Sequence, residues 1–367
     1  MWPPAPDDGR PALVVAARHG LVDGDRVGTT ALGEDPGAVI RAASFDGLSG
    51  FLATAISDGA LESDEHVAGD AVQAWRRALV ATVRVEALVV RVAALLHGAA
   101  VRWRLTKGAA IAHLDYPEQV AQRTFGDADI VIHPGDWRRA LDVLGAAGYR
   151  RPSPELRPGF DVRFGKGATL VDDEELEVDL HLRFAIGRFG VRARMEQLFG
   201  RGDRVELGGR VIPTLDGPDR LLHACHHLAL GGFSGLRVAR DVAQLLVVAD
   251  VDWRRTVATA DDWGVTAVVA RGIVEAWDRL ALDTPHPAVD WAREYPIGRG
   301  DRRAIAVFEG DRPFREQALT AVPALPPWRV PGYLAALAVP DVGARRSGER
   351  SAVAHARSRL RKLLGRS

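Results

Sequence analysis

The chain contains one cysteine, Cys225, which excludes an internal disulfide and any cysteine-cluster metal site and suits a reducing compartment. It contains no apolar run of the roughly eighteen residues that a membrane span requires. The opening Met1-Trp2-Pro3-Pro4 lacks a basic segment followed by an apolar stretch, so no secretory signal is read and a cytoplasmic protein is expected. Net charge is also missing: 48 basic and 48 acidic side chains cancel, so no overall field draws a long nucleic acid or a membrane surface. Any polyanion site must be local. Lysine is nearly absent, since of those 48 basic residues only Lys107, Lys166 and Lys362 are lysines. Whatever bias replaced lysine with arginine elsewhere spared these three, and Lys107 is the one for which function is favoured.

What is present describes a globular chain. With 367 residues, nearly half of them hydrophobic, it can bury a large core and form two or three units. Residues 1–98 read as an N-terminal region, irregular and rich in Gly, Pro and Asp over 1–40 and helical from about 45. Within it, Gln73 to Ala94 carries apolar residues at spacings of three and four, a long amphipathic helix. Residues 99–185 read as a small α/β core. Val101 to Leu105 alternates as a strand, Ala109 to Leu114 opens a helix, and a second strand follows Gly126. Pro134-Gly135-Asp136 starts a helix that ends at Gly148. Phe160 to Val171 is expected to form a hairpin turning at Gly165-Lys166-Gly167, and Leu176 to Phe184 a further strand. Residues 186–300 read as a helical domain, with helices expected at Asp219–Leu230, Leu236–Ala249 and from Trp253 to about Arg279. Residues 301–367 form a C-terminal extension whose basic tail, Ala352 to Leu364, suits a short helix. The fold class is α+β: a small mixed or antiparallel sheet flanked by helical regions.

The chemistry concentrates at Gly126-Asp127-Ala128-Asp129-Ile130-Val131-Ile132 and at Glu177-Val178-Asp179-Leu180-His181. Side chains alternate along a strand, so Asp127 and Asp129 project together while Ala128, Ile130 and Ile132 face a core. Two anions on one face repel, an arrangement that a hard divalent cation relieves. On the later strand Glu177, Asp179, His181 and Arg183 share a face. If the two strands are neighbours, three carboxylates converge, enough for two Mg²⁺ ions against a triphosphate, with Asp179 able to take a proton from an acceptor. Lys107-Gly108 ends the first strand where a helix begins. There a glycine admits a phosphate to the helix N-terminus and Lys107 adds a point charge.

Lys107-Gly108-Ala109-Ala110, Arg123-Thr124-Phe125-Gly126-Asp127-Ala128-Asp129-Ile130-Val131-Ile132 and Asp179-Leu180-His181 together resemble the nucleotidyltransferase superfamily with a DNA polymerase β-like core. More narrowly they resemble a bacterial branch described as uncharacterised nucleotidyltransferases. The likeness extends over roughly residues 45–250, including Leu221 to His227 and Leu236 to Asp241. It implies transfer of a nucleoside monophosphate from an NTP such as ATP, with Asp127, Asp129 and Asp179 as ligands for Mg²⁺, or for Mn²⁺. It also implies Lys107, Gly108, Arg123, Gly126 and Lys166 as nucleotide-binding residues. The Gly-Ser or Gly-Gly pair of the wider superfamily is absent, and Lys107-Gly108 stands in its place. The branch's association with lasso-peptide or surface-polysaccharide genes implies a peptide or a sugar as acceptor.

Other readings accompany this one. An Asp-x-Asp pair also occurs in glycosyltransferases, which need a larger nucleotide-binding domain before it. A non-catalytic relative acting as a binding or regulatory subunit would be signalled by a missing carboxylate, and none is missing. For Lys166 a hairpin tip is slightly favoured over a role in binding. His223, His226 and His227 lie at helical spacing without the Glu or thiolates of a zinc site, so buried packing is favoured over metal ligation, with a place on the wall of the nucleotide cleft left open. Arg237 and Asp241, four apart on a helix, read as an ordinary ion pair.

Overall fold

A computed structural model describes residues 11–21, 30–33, 35–155, 159–184, 187–309, 319 and 321–338. The expected helix at Ala352–Leu364 lies outside the described residues. In chain order the elements begin with α1 (Pro11–Arg18), β1 (Thr30–Ala31), α2 (Pro36–Asp46), α3 (Ser49–Ser57), β2 (Leu61–Glu62) and α4 (Glu65–Gly98). The sheet region follows: β3 (Trp103–Thr106), α5 (Gly108–Asp115), β4 (Ala128–Ile132), α6 (Trp137–Ala146), α7 (Phe160–Phe164), β5 (Gly167–Val171) and β6 (Glu177–His181). Then come α8 (Gly187–Arg192), α9 (Met195–Gly200), β7 (Arg204–Leu207), β8 (Arg210–Pro213), α10 (Gly217–Leu230), α11 (Leu236–Val247), α12 (Trp253–Trp263), α13 (Thr266–Arg279), α14 (Pro287–Glu294), α15 (Arg299–Ala306) and α16 (Val330–Ala338).

The central sheet runs β3-β4-β6-β5, with β4 and β6 parallel and the two outer pairs antiparallel. Its lower face is covered by α4, whose Val85, Leu88, Val89, Val92 and Leu96 are buried with Ile130, Ile132, Val178 and Leu180 of the strands. Such a helix is about 50 Å long. It is capped by the Asp64 carboxylate, which accepts a hydrogen bond from the Val67 N–H. The N-terminal half of α4, through Ala71 and Ala74, belongs instead to a second core that joins α1, α2 and α3 to the helices α10 to α13. One rigid element therefore spans both cores.

Buried ion pairs lock the end of α5 and the segment after it onto the C-terminal helices. Arg220 of α10 makes two bonds to Asp115, at 2.9 and 2.8 Å, and a third to Asp203 at 2.6 Å. Arg123 donates from Nε and Nη2 to the two oxygens of Asp241 on α11, at 2.7 and 2.8 Å, and the Tyr116 hydroxyl adds 2.9 Å. Arg240 donates to the carbonyls of Ala17 and His19 and to the Gln119 side chain, stitching α11 to the N-terminal helices.

Three expectations need correction, and one element is new. Phe160 to Phe164 is helical, so no hairpin forms there, and β5 pairs with β6. Phenylalanine and valine suit either element, and here the strand pairing went to Gly167–Val171. Residues 11–18 are a helix with Leu13 and Ala16 fully buried, in a stretch where Gly and Pro suggested irregular chain. The helix expected from Trp253 to about Arg279 is two, because Gly264 ends α12 with φ +64°. Finally, β7 and β8 form a hairpin about Gly208-Gly209 that was not expected.

The strand bearing the carboxylates is anchored by one threonine. The Thr82 hydroxyl of α4 donates to the Phe125 carbonyl and accepts from the Phe125 N–H, both at 3.0 Å. Thr82→Val would leave both backbone groups buried without a partner, at a cost of about 1–3 kcal/mol. A urea midpoint lowered to match, with nucleotide affinity also reduced because Asp127 lies two residues on, is the expected result.

Candidate active site

The pairing register decides the site. Asp129 of β4 lies opposite Asp179 of parallel β6, Thr106 of β3 opposite Asp129, and Thr169 of β5 opposite Asp179. A single row across all four strands therefore carries Thr-Asp-Asp-Thr on one face, while the alternate residues Ile130 and Leu180 fill the core. Asp127, two residues before Asp129 and exposed, joins them. Oxygens of Asp127, Asp129 and Asp179 all lie within 4.8 Å of one another.

Asp129 is the buried member, 2% exposed. Its Oδ1 accepts from Lys107 Nζ and from His181 Nε2, each at 2.6 Å, whereas its Oδ2 is buried with no hydrogen-bond partner. Burial alone would raise its pKa, but the His181 hydrogen bond and the Lys107 ammonium outweigh that and hold it well below the usual carboxylate range. Burial lowers the pKa of His181 despite the pull of Asp129, which fits a neutral ring donating its Nε2–H. Asp179 accepts from Thr169 Oγ1 at 2.5 Å. Asp127 is pushed upward by desolvation in the cleft and then by the charge of Asp129, the signature of anions crowded together.

Lys107 reaches Asp129 through an unusual backbone. Its φ is +50° and ψ −136°, a conformation L residues avoid at a cost of about 1–3 kcal/mol. It immediately precedes α5, with no side chain capping that helix, so the first-turn N–H groups are unspent. Gly108 has a packing reason to be glycine, since a Cβ there would lie 3.0 Å from the Phe125 ring. Gly126 faces open space. Gly167 is required: a Cβ would lie 1.9 Å from the Leu180 carbonyl oxygen, and this close approach of β5 to β6 fixes the preceding Lys166. Lys166 is no hairpin tip; it shares the wall of one cavity with Lys107 and the three histidines of α10. Desolvation and then the Lys107 charge lower its pKa.

These contacts define a sheet face with three convergent carboxylates, one of them with a buried oxygen that has no hydrogen-bond partner, beside a helix N-terminus and two lysines. A family model described as an uncharacterised nucleotidyltransferase matches residues 33–277, well over half of the chain. The chain belongs to that family. It is thus an enzyme of nucleotidyl transfer, and the glycosyltransferase alternative falls away. A comparison with curated proteins found no match.

Within this nucleotidyltransferase, the Arg123 guanidinium is occupied by the protein's own groups. It is 1% exposed, and its Nε, Nη1 and Nη2 are committed to Asp241 and the Thr124 carbonyl. Arg237, four residues before Asp241, approaches that carboxylate only to 4.0 Å, so the principal partner of Asp241 comes from across the interface rather than along the helix. His181 was in the motif but had no assigned role; its signal was the two-residue spacing from Asp179, which puts both on one face. Thr169, on the edge strand, carried no sequence signal.

Two measurements follow from this site. Arg123→Gln leaves Asp241 buried with its main counter-charge gone, so stability should fall by about 3–5 kcal/mol while the variant that remains folded binds nucleotide as the wild type does. The histidines give a pH dependence. Burial depresses the pKa of His223 and His226 well below the ordinary value and that of His227 to about 3. Below about pH 6.5 the unfolded chain gains protons that the folded chain refuses, so stability falls with pH by up to roughly 1.4 kcal/mol per unit for each histidine. Urea midpoints measured from pH 7 to 4.5 should decline, and His226→Leu should make the decline shallower.

Proposed function

We propose that the enzyme moves a nucleoside monophosphate from an NTP to a hydroxyl or phosphate of a small acceptor, a peptide or a sugar, with Mg²⁺ and release of pyrophosphate. The observation that carries this reading is the unpartnered Oδ2 of buried Asp129 within a cluster whose donors are all carboxylate oxygens. Such a hard, anionic set suits Mg²⁺ or Mn²⁺ and offers nothing to a soft metal. Asp127, Asp129 and Asp179 would hold one or two ions. When bound, the metal would neutralise the polyphosphate and make an acceptor hydroxyl more acidic.

The protein's own groups divide the remaining work. Lys107 and His181 clamp Oδ1 of Asp129, which fixes the carboxylate plane and leaves Oδ2 for the ion. The unspent N–H groups at the start of α5 would receive a phosphate that approaches past Gly108. Asp179 is accessible at the cluster's edge and takes the acceptor proton. The acceptor oxygen attacks the α-phosphorus in line, a new O–P bond forms, and the bond to the β-phosphate oxygen breaks. Lys166 supplies a further compact positive charge on the same side. A long nucleic acid is a poor acceptor candidate, given the cancelled net charge.

The test combines binding and turnover. A ligand at a hundred times its dissociation constant stabilises the folded state by about 2.7 kcal/mol, so one NTP should give a Mg²⁺-dependent rise in melting temperature beyond any shift it gives with the metal chelated. Asp129→Asn, nearly isosteric, should lose that shift and lower transfer of label from an α-labelled NTP by more than about a hundredfold. An NTP shift that ignores both Mg²⁺ and the substitution would overturn the reading.

A further inference from the structure

A cavity of about 340 Å³ adjoins the carboxylate cluster, between the sheet and the turn from α10 to α11. Every titratable group lining it is a base: Lys107, Lys166, His223, His226 and His227, with no carboxylate among its described lining residues. The volume lies in the range of small-ligand sites. Three of its polar features are unsatisfied. The Lys166 ammonium makes no ion pair or hydrogen bond among the described residues, whereas that of Lys107 is already on Asp129. His226 is 1% exposed, packed against Phe189 at 4.2 Å between ring centroids, and its Nε2 has no partner. Gly235, which precedes α11 and cannot cap it with a side chain, also lines the space, so first-turn N–H groups of this twelve-residue helix are unspent beside it.

Keeping a half-buried ammonium without an ion pair, next to a second ammonium, is costly, and an arriving anion relieves that cost. Neutral imidazoles each offer one N–H donor, and a helix N-terminus favours an anion. Both cavity lysines come from the three in a chain that otherwise uses arginine. A lysine presents a compact, rotatable point charge where a planar guanidinium would fill the space. We propose that this cavity is a phosphate pocket, held by Lys166, His226 and the start of α11, distinct from the carboxylate cluster and able to bind phosphate without a metal. The phosphate belongs either to the polyphosphate end of the NTP or to a phosphorylated acceptor. Only that choice of source rests on the nucleotidyl-transfer reading; the anion preference of the pocket stands without it.

Inorganic phosphate and pyrophosphate, titrated into the full chain with divalent metal chelated, test the pocket by calorimetry and thermal shift. Pyrophosphate should bind, and Lys166→Met and His226→Phe should each weaken it by tenfold or more. Lys166 is partly exposed, so its variant keeps the test valid if the His226 variant does not fold. Repeating the titration with saturating Mg²⁺ and NTP identifies the source. Pyrophosphate displaced by NTP assigns the pocket to the donor, and an anion that binds alongside NTP assigns it to the acceptor. Metal-free pyrophosphate binding, in a protein with no Mg²⁺-dependent NTP shift, would keep the pocket while removing the proposed reaction. If neither anion binds without metal, or if both variants bind as the wild type does, the pocket is not a phosphate site.

Discussion

Everything at the active site depends on the parallel register of β4 and β6, which sets Asp129 against Asp179. Because side chains alternate with a period of two, a slip of one residue would turn Asp179 into the core and bring Val178 and Leu180 out beside Asp129. The apolar alternates prevent that slip: Ile130, Ile132, Val178 and Leu180 are all at most 1% exposed, over α4. Hydrophobic burial thus holds two mutually repelling anions in contact. The Lys107 ammonium and the His181 ring relieve part of the repulsion and use up only one oxygen of Asp129.

The same logic extends outward. α4 reaches from the sheet to the N-terminal helices, and Thr82 on it pins the strand just before Asp127. The helices α10 and α11 are tied to the end of α5 and the segment after it by Arg220–Asp115 and Arg123–Asp241. Hydrophobic pairs in those places could be as stable, but a bidentate ion pair is also directional. That directionality holds the α10 histidines over Lys107 and Lys166, so the basic cavity and the acidic cluster meet at one residue, Lys107. Its strained backbone sits where strain is useful, between the end of a strand, the start of a helix and the buried carboxylate.

Much of this was legible in the linear chain. The period-two pattern from Ala128 to Ile132 and from Val178 to Leu182 predicted which carboxylates face out, and the helical spacing from Gln73 onward predicted α4. Less legible were short elements without a strong period. Phe160–Phe164 is apolar enough for either a strand or a helix, and α1 hides in a Gly- and Pro-rich region because only eight residues carry its pattern. Arg123 shows the limit for single residues. The family resemblance implied a place near phosphates, yet its partner Asp241 is more than a hundred residues away in sequence.

By itself, then, the sequence determined the residue types and the faces: carboxylates at alternate positions of two strands, a Lys-Gly step before a helix, and three histidines on one helical turn. Those follow from local periodicity, which any chain segment carries within itself. Only the tertiary structure decided which strands are neighbours, which oxygen of Asp129 is left without a partner, and that Lys166 and the histidines share one cavity. Such facts depend on contacts between distant segments, where packing and desolvation choose among partners that the local pattern leaves equivalent.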